Sequence, residues 1–392
     1  MQNCDIIIIG AGIGGLTAAL ALHHAGHRVR IFEQAPELGE VGAGVMLTPN
    51  AMRVFRRLGL EKAIAEVSVA PAFTAVWDHR DGHVLSTSVI GADSAARHGA
   101  PYYYIHRADL HRILAGAVRG NDSACLALGR TFTAWEMRAG RAVAQFADGA
   151  QAIADLLLGC DGIKSRLRTE IAAEVPTRFT GNVAWRGLVP TDRLRPSMCQ
   201  PESIIWVGPG RHLVRYAVRG GAVINYVALA EQAAWQDEGW MVRAEVADVL
   251  KEFAGWHPDA VDLIAATPPE TCFKWGLFDR APLPVWSKDS ATLLGDAAHP
   301  MLPFMAQGAA MAIEDAAVLT VMLERHDDIA GALAAYQAER LPRTAWVQAQ
   351  SRANQNLYHR ATSAEQFDDD RALRSERLYG YDAFAPAAVG PP

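Results

Sequence analysis

The run Asp5-Ile-Ile-Ile-Ile9-Gly10-Ala-Gly12-Ile-Gly14-Gly15, continuing Leu-Thr-Ala-Ala-Leu-Ala-Leu22, decides the fold. Consecutive isoleucines bounded by glycine read as a short parallel strand buried on both faces. Gly10–Gly15 satisfies the pattern GxGxxG. Leu16–Ala25, rich in Ala and Leu, is a helix that Gly26 ends, and Val29–Phe32 is the next strand. Strand, glycine turn, helix and strand together open a doubly wound α/β domain. The glycines permit a tight turn and a close backbone approach to a pyrophosphate resting on the helix N-terminus. Glu33 follows at the end of the second strand, where a carboxylate accepts hydrogen bonds from the adenosine ribose. A turn that merely packed helix on sheet would leave Glu33 unexplained, so the segment reads as a dinucleotide site.

Working outward, Gly39–Asn50 is a glycine-rich loop followed by a helix from Ala51 to about Leu58. Ala154–Leu158 and Ala291–Leu294 are further short apolar runs. Each feeds a Gly/Asp element, Gly159-Cys-Asp161-Gly162 and Gly295-Asp296-Ala-Ala-His299-Pro300. Between them, Ser203–Ala230 alternates β-rich runs with glycine turns, the pattern of an antiparallel hairpin sheet. Met311 to about Tyr358 is helical. The expected fold is α/β: a discontinuous Rossmann-like domain over residues 1–170 and 281–360, and a β-sheet substrate domain inserted at 171–280. A tail over 361–392 ends in PAAVGPP and is expected to fray.

At 392 residues and 42.4 kDa the chain can bury a large core. Its net charge of −6 offers no basic field for nucleic acid or anionic lipid. The five cysteines are odd in number and scattered, without CxxC pairs or metal-ligand spacing. Neither a disulfide framework nor a metal site is expected, and a reducing cytoplasm fits best. Ile6–Ile9 is far too short to span a membrane and lacks the basic flank of a signal peptide. We expect a monomer or homodimer.

GxGxxG alone does not separate FAD from NAD. Gly159–Arg168, and the stretch from Gly295 through Pro303 to Gln307-Gly308-Ala309-Ala, resemble motifs of the single-component FAD-dependent aromatic hydroxylases. The resemblance runs from residue 5 to about 350. It is strongest to the branch of salicylate hydroxylase, 3-hydroxybenzoate 6-hydroxylase and 6-hydroxynicotinate 3-monooxygenase. The segments GAGVMLTPNAMRVFRRLGL (42–60), AWRGLVP (184–190) and LGDAAHPMLPFMAQGAAMAIEDA (294–316) carry it.

That resemblance implies an FAD domain of the GR2 type, with NADH or NADPH as co-substrate and O₂ as oxidant. Asp296 would bond the ribityl chain, Asp161 would lie near both dinucleotides, and Arg107 would support the FAD. Gly10, Gly12, Gly14, Gly15, Glu33, Gln34, Val45, Gly308 and Ala309 complete the implied cofactor set. It also implies oxygen transfer through a flavin C4a-hydroperoxide to a small phenolic or carboxylated aromatic or N-heteroaromatic ring. A helix opening at Gly308 and aimed at the flavin would place partial positive charge beside N1 and O2, where negative charge gathers on reduction.

Such a ring reacts faster as a phenolate. A free phenol has a pKa of about 10, so transfer to an imidazole of about 6.5 costs roughly 5 kcal/mol unless the phenolate is supported. His212 is the candidate base. It opens the strand HLVRYAV, where period 2 puts His212, Val214 and Tyr216 on one face. In the resembling enzymes a histidine after an arginine in this hairpin is the base. Arg211-His212 fits, and Tyr216 matches a tyrosine of the nicotinate enzyme. A rim histidine and a core tyrosine remain the alternative. Arg186 and Arg215 are candidates for a substrate carboxylate, with ordinary salt bridges the alternative.

The chain departs from the pattern in places. Met46 and Phe304 stand where the nicotinate enzyme has substrate histidines, and Pro303 where the 3-hydroxybenzoate enzyme has glutamine. Neither substrate transfers wholesale. Met46, Phe304, Met305, Trp185 and Trp206 would make a more apolar pocket. His299 is expected to orient its loop. Trp235, Trp240, Trp256, Trp275 and Trp286 are expected in packing and on the surface of the substrate domain. The rival readings are another FAD oxidoreductase of the same fold, an NAD dehydrogenase, which leaves Gly295-Asp296 unexplained, and a non-catalytic flavin-binding protein.

Overall fold

The computed structural model describes residues 3–39, 42–173, 175–235, 242–360, 367 and 371–386. Trp240 and the last residues of PAAVGPP lie outside them. The isoleucine run is the central strand of a six-stranded sheet. The order is Ser287–Lys288, Ala291–Leu293, Leu156–Gly159, Asp5–Ile9, Arg28–Phe32 and Leu126–Ala127. All neighbours are parallel except the first pair, a hairpin. Ile6, Ile7 and Ile8 are fully buried between helical layers, as a parallel strand requires.

Register explains why three distant motifs meet. Ile9 pairs with Gly159, and Gly159 with Leu293. The three strands therefore end level, and each hands the chain to a glycine turn at the carboxyl edge of the sheet, two of the three carrying an aspartate. That edge is where open α/β sheets bind ligands.

The helix Ile13–His24 packs against the helix Gly308–Arg325. Gly14 allows the approach, because a Cβ there would lie 2.8 Å from Leu294 Cδ2 and 3.2 Å from Ala312 Cβ. The expected helical region after Met311 is two helices, Gly308–Arg325 and Ile329–Arg360. Pro49 at the first turn starts the preceding helix, Pro49–Arg57, slightly earlier than expected. Part of the expected loop 39–50 is the strand Gly44–Leu47, paired with Tyr103–His106.

The second large sheet has eight strands. The order is Val242–Arg243, Phe273–Asp279, Arg178–Pro190, Val223–Glu231, Arg211–Val218, Ser203–Gly208, Phe73–Asp78 and Val84–Val89. The hairpins expected in 203–230 are present. The sheet nevertheless extends beyond 171–280, because Phe73–Asp78 pairs in parallel with Ser203–Gly208 and brings Val84–Val89 with it. Phe132–Arg138, Arg141–Phe146 and Gln151–Ala154 form a separate small sheet.

One face of the eight-stranded sheet packs Trp206, Tyr226, Phe253 and Leu263 into an apolar core. The other faces a cavity and the helix Ile329–Arg360. Within the expected tail, Arg371–Tyr379 is a helix that packs on Pro49–Arg57. No described helix is long and apolar enough to cross a membrane.

Candidate active site

At the first turn each glycine has its own reason. Gly10 holds φ +101°, and a Cβ there would lie 2.4 Å from the Cys160 carbonyl oxygen. A Cβ on Gly15 would lie 2.1 Å from the Gly10 oxygen, so this residue seats the helix on its strand. Gly12 is different: a Cβ there meets nothing within 4 Å. It faces a cavity of about 1110 Å³. Glu33 closes the turn by accepting from the amides of Ala11 at 2.8 Å and Ala35 at 2.9 Å. Its two oxygens retain acceptor capacity for a ribose. Gln34 is exposed, and neither it nor Glu33 lines the cavity.

The other two Gly/Asp elements are tied together. Asp161 accepts from the amides of Arg166 (2.8 Å) and Leu167 (3.2 Å) and so caps a short helix. Its second oxygen is buried and has no hydrogen-bond partner among the described residues. Arg168 reaches across to the carbonyls of Ala297 at 3.1 Å and Asp296 at 3.4 Å. Gly162 and Asp296 both line the cavity.

An ionic cluster that sequence reasoning missed holds Gly295-Asp296 in place. Asp315 is fully buried and accepts from the Gly295 amide at 2.9 Å, His299 Nε2 at 2.5 Å and Arg340 Nε at 2.7 Å. Burial opposes its ionisation, but His299 and Arg340 outweigh that and hold the carboxyl at about 2. Neighbouring Glu314 pairs with Arg340 and Arg343, both at 2.7 Å, and accepts from Asn50 at 2.6 Å. His299 therefore points away from the cavity, into the cluster and against Trp286. The helix Ile329–Arg360 pins the next stretch. Gln348 donates to Pro300 O at 2.8 Å, Ser351 to Leu302 O at 2.6 Å and Asn354 to Phe304 O at 3.3 Å.

Of the cofactor residues read from sequence, Gly12, Gly14, Val45, Arg107, Asp296, Gly308 and Ala309 line this one cavity. Gly10, Gly15 and Asp161 do not line it; Gly10 and Gly15 pack against Cys160, which does. The residues fit FAD on structural grounds: an open backbone at Gly12, an unpartnered buried oxygen on Asp161, and a helix of full length opening at Gly308.

The eight-stranded sheet supplies the opposite wall. His212, Val214 and Tyr216 all face the cavity, as their alternation requires, together with Arg186, Met46, Pro303, Phe304 and Met305. Arg215 does not. Its place between two cavity-facing residues turns it to the other face, where it is 1 % exposed. There it donates to the carbonyls of Pro201 (2.6 Å) and Gln200 (3.1 Å), and burial lowers its pKa to about 10. It cannot meet a substrate carboxylate. Trp185 and Trp206 fail for the same reason: both lie in the core behind the sheet. Trp275, expected in packing, lines the cavity. Trp286 packs in the core of the other sheet.

Tyr216 rests against Tyr104, with ring centroids 4.8 Å apart, and burial raises its pKa. It stays a neutral donor, and no described residue bonds its hydroxyl. His212 is 2 % exposed, beneath Phe304 and Tyr358 at centroid distances of 5.4 and 5.1 Å. Burial, and then the proximity of His359, push its pKa well below the ordinary value. Its Nδ1 lies 2.9 Å from His359 Nε2, and no described group bonds its Nε2. His359 carried no sequence signal, since only the crossing of the last helix over the sheet brings it here.

A parallel sheet with glycine turns at its carboxyl edge, opposite a largely antiparallel sheet across one cavity, is the architecture of a dinucleotide-binding enzyme. The comparisons make the assignment specific. The FAD binding domain family matches residues 3–351, and the chain belongs to it. It is 38% identical to 3-amino-4-hydroxybenzoate 2-monooxygenase of Streptomyces platensis, over 96% of each chain. It is 36% identical to 6-hydroxynicotinate 3-monooxygenase of Pseudomonas fluorescens, covering 100% of this chain and 98% of that one. Among solved structures, a salicylate hydroxylase substrate complex superposes with a TM-score of 0.83 at 26% identity, over 98% of this chain and 97% of that one. The protein is an FAD-dependent enzyme of the aromatic-ring monooxygenase type, as the sequence motifs implied.

Proposed function

We propose that the enzyme uses NADH or NADPH and O₂ to hydroxylate a small aromatic or N-heteroaromatic ring that carries an ionisable hydroxyl, with His212 as the base. One observation carries this: buried His212 lines the cavity with Nδ1 engaged by His359 and Nε2 bonded by no described residue, and burial disfavours its charged form. Neutral imidazole is the form that accepts a proton. The relatives named above are monooxygenases of rings that carry a hydroxyl group, hydroxybenzoate in one and hydroxynicotinate in the other. When bound, FAD supplies the hydride-accepting and O₂-activating chemistry. Gly12, Arg107, Asp161, Asp296 and the helix start at Gly308-Ala309 would hold it. On this reading residues 1–170 and 281–360 carry the cofactor. Residues 171–280, joined by the strands within 73–89, carry the substrate.

His212 and Tyr216 lie about 13 Å apart along the strand, so they serve different groups. His212 takes the phenol proton. Tyr216 donates a hydrogen bond at the other end of the cavity. Arg186, over the rings of Phe273 and Trp275 at 5.6 and 5.5 Å, is the cation for a substrate carboxylate. The five thiols are free, which accords with a cytoplasmic setting.

The test is a panel of hydroxybenzoates and hydroxypyridines. Each is scored for faster NAD(P)H oxidation and for a product one oxygen heavier. At least one member should give both. Oxidation that no panel member accelerates, with no hydroxylated product, would overturn the reading.

A further inference from the structure

The environment of His212 raises a question of proton traffic. Phe304, Tyr358 and His359 cover its ring, with centroids at 5.4, 5.1 and 5.1 Å, and shield it from bulk water. A proton taken up at Nε2 must leave from Nδ1. Nδ1 lies 2.9 Å from His359 Nε2, and His359 Nδ1 lies 3.3 Å from Glu231 Oε1. The Glu231 side chain is 51% exposed. We propose that His359 and Glu231 form a proton exit from the substrate pocket to solvent by way of His212. This rests on the reading of His212 as the base.

The three groups fix one another's proton positions. A carboxylate only accepts hydrogen bonds. Glu231 therefore selects the His359 tautomer protonated at Nδ1, which leaves Nε2 as an acceptor. That acceptor in turn requires a proton on His212 Nδ1, and so His212 Nε2 carries the lone pair. An exposed carboxylate on one strand thus sets the basic nitrogen of a buried imidazole on its neighbour, through a residue of the last helix. Burial lowers the pKa of His359 as it does that of His212, which keeps both rings neutral at rest. Among the described residues, the other ionisable groups around the pair are Tyr358 and Arg360 on the helix. Arg211, on the strand, is engaged with Glu252 at 2.7 Å.

The transfer balances without redox change. The substrate O–H bond breaks, and its proton goes to His212 Nε2. The Nδ1 proton of His212 passes to His359 Nε2, the Nδ1 proton of His359 passes to Glu231, and from there one proton enters water. The path resets when the oxygen takes a proton back by the same route after hydroxylation. His359 is a positioning residue for His212 as well as a carrier.

Two measurements test this on the FAD-loaded protein. Nitrogen-15 NMR of labelled histidines, assigned with His212→Gln and His359→Gln, reads the tautomers directly and needs no substrate. Both rings should be neutral and protonated at Nδ1 near neutral pH, and Glu231→Gln should disturb that state at His359. A wild-type His212 protonated at Nε2 overturns the proposal.

The second measurement follows product per NAD(P)H against pH, with the panel member that gives product. His359→Gln should lower hydroxylation about 10- to 100-fold at neutral pH, the scale of a proton-transfer group. Activity should rise again toward alkaline pH, where the phenol ionises unaided. Glu231→Gln, at a half-exposed position that does not threaten folding, should shift the pH profile in the same direction with KM unchanged. Profiles that match the wild type in both variants overturn the proposal. A panel without product would instead count against the proposed function, and the NMR result would still decide the tautomers.

Discussion

The Tyr216 ring occupies the space that a side chain at residue 44 would need: a Cβ on Gly44 would lie 2.3 Å from Tyr216 Cε2. The Gly44 amide is also held, donating to Asn225 Oδ1 at 2.8 Å. Backbone and ring are thus locked face to face at the cavity wall. Gly44→Ala should destabilise the protein by about 1–3 kcal/mol, the usual cost of overpacking. In a Tyr216→Ala background the same change should cost almost nothing, because the clashing ring is gone. Chemical denaturation of the four proteins measures the coupling. Additive effects would show that the contact carries no energy.

Gly10 and Gly12 should fail differently. Gly10→Ala forces a side chain into the left-handed region and against the Cys160 carbonyl, so it should lose the fold as well as the flavin. Gly12→Ala meets no protein atom within 4 Å. Its apoprotein should keep the wild-type stability within about 0.5 kcal/mol, yet retain FAD poorly, since the new methyl group stands where the pyrophosphate would approach. Thermal melts of the apoproteins and FAD titrations separate the two. A Gly12→Ala variant that binds FAD as tightly as wild type would place the cofactor elsewhere.

Arg186 and Arg215 give a second contrast. Arg186→Met should raise KM for a carboxylated ring by about 10- to 100-fold, equivalent to roughly 1.5–3 kcal/mol for a hydrogen bond to a charged group. It should leave the matching ring without the carboxylate almost unaffected. Arg215→Met should leave KM unchanged and lower stability, because it frees two buried carbonyls. Equal KM effects on both rings would remove Arg186 from carboxylate recognition.

Much of this was legible in the residues, for identifiable reasons. Buried parallel strands read as unbroken apolar runs, so Ile6–Ile9 and its two companions announced the sheet and the turns at its edge. Alternation placed His212, Val214 and Tyr216 together. The same alternation already excluded Arg215, and it turns Trp206 away from the cavity-facing Ser203 and Ile205. At Arg215, Trp185 and Trp206, position along the strand outweighs residue type. The strands Phe73–Asp78 and Val84–Val89 were hidden because FTAVWD and VLSTSV mix polar and apolar residues without clear alternation. Phe73–Asp78 joins the sheet by pairing with Ser203–Gly208, more than a hundred residues away, and Val84–Val89 follows only as its hairpin partner. His359, Asp315 and Arg340 were illegible for a related reason: each acts through a partner that only the crossing of the late helices supplies.

Asp315 makes an acid-sensitivity prediction with a definite sign. Its folded pKa of about 2 lies below the unfolded value, which is about 3.9. The unfolded chain therefore binds more protons between those limits. The stabilisation is fully present above about pH 4 and is lost as pH falls toward 2, amounting to roughly 2–3 kcal/mol for a shift of this size. Asp315→Asn should flatten that part of the stability–pH curve. At neutral pH it should cost about 3–5 kcal/mol, because Arg340 loses a buried partner. FAD retention should fall too, since the single asparagine oxygen can serve Arg340 or the Gly295 amide with His299, but not both sides. Urea unfolding across pH checks both. An unchanged acid limb in the variant would assign the sensitivity to other groups.

The last prediction separates the two halves of the reaction through His212. Reduction by NAD(P)H needs no ionised substrate, whereas oxygen transfer to the ring is faster for a phenolate. His212→Ala removes the free Nε2 and opens a small void beneath Phe304 and Tyr358, but it touches none of the residues that would hold FAD. The variant should remain yellow and should still be reduced by NAD(P)H. Hydroxylation should fall by about 10²–10⁴, the usual worth of a positioned acid–base group. The NAD(P)H consumed should then appear as hydrogen peroxide instead of hydroxylated product, measurable with a peroxidase-coupled assay beside product chromatography. A phenol of lower pKa should recover part of the lost yield, because it needs less help to ionise. Full yield per NAD(P)H at an unchanged hydroxylation rate would dismiss His212 as the base. Tyr216 would follow it as the residue to test, since it presents the other unbonded polar group on the same face of the strand.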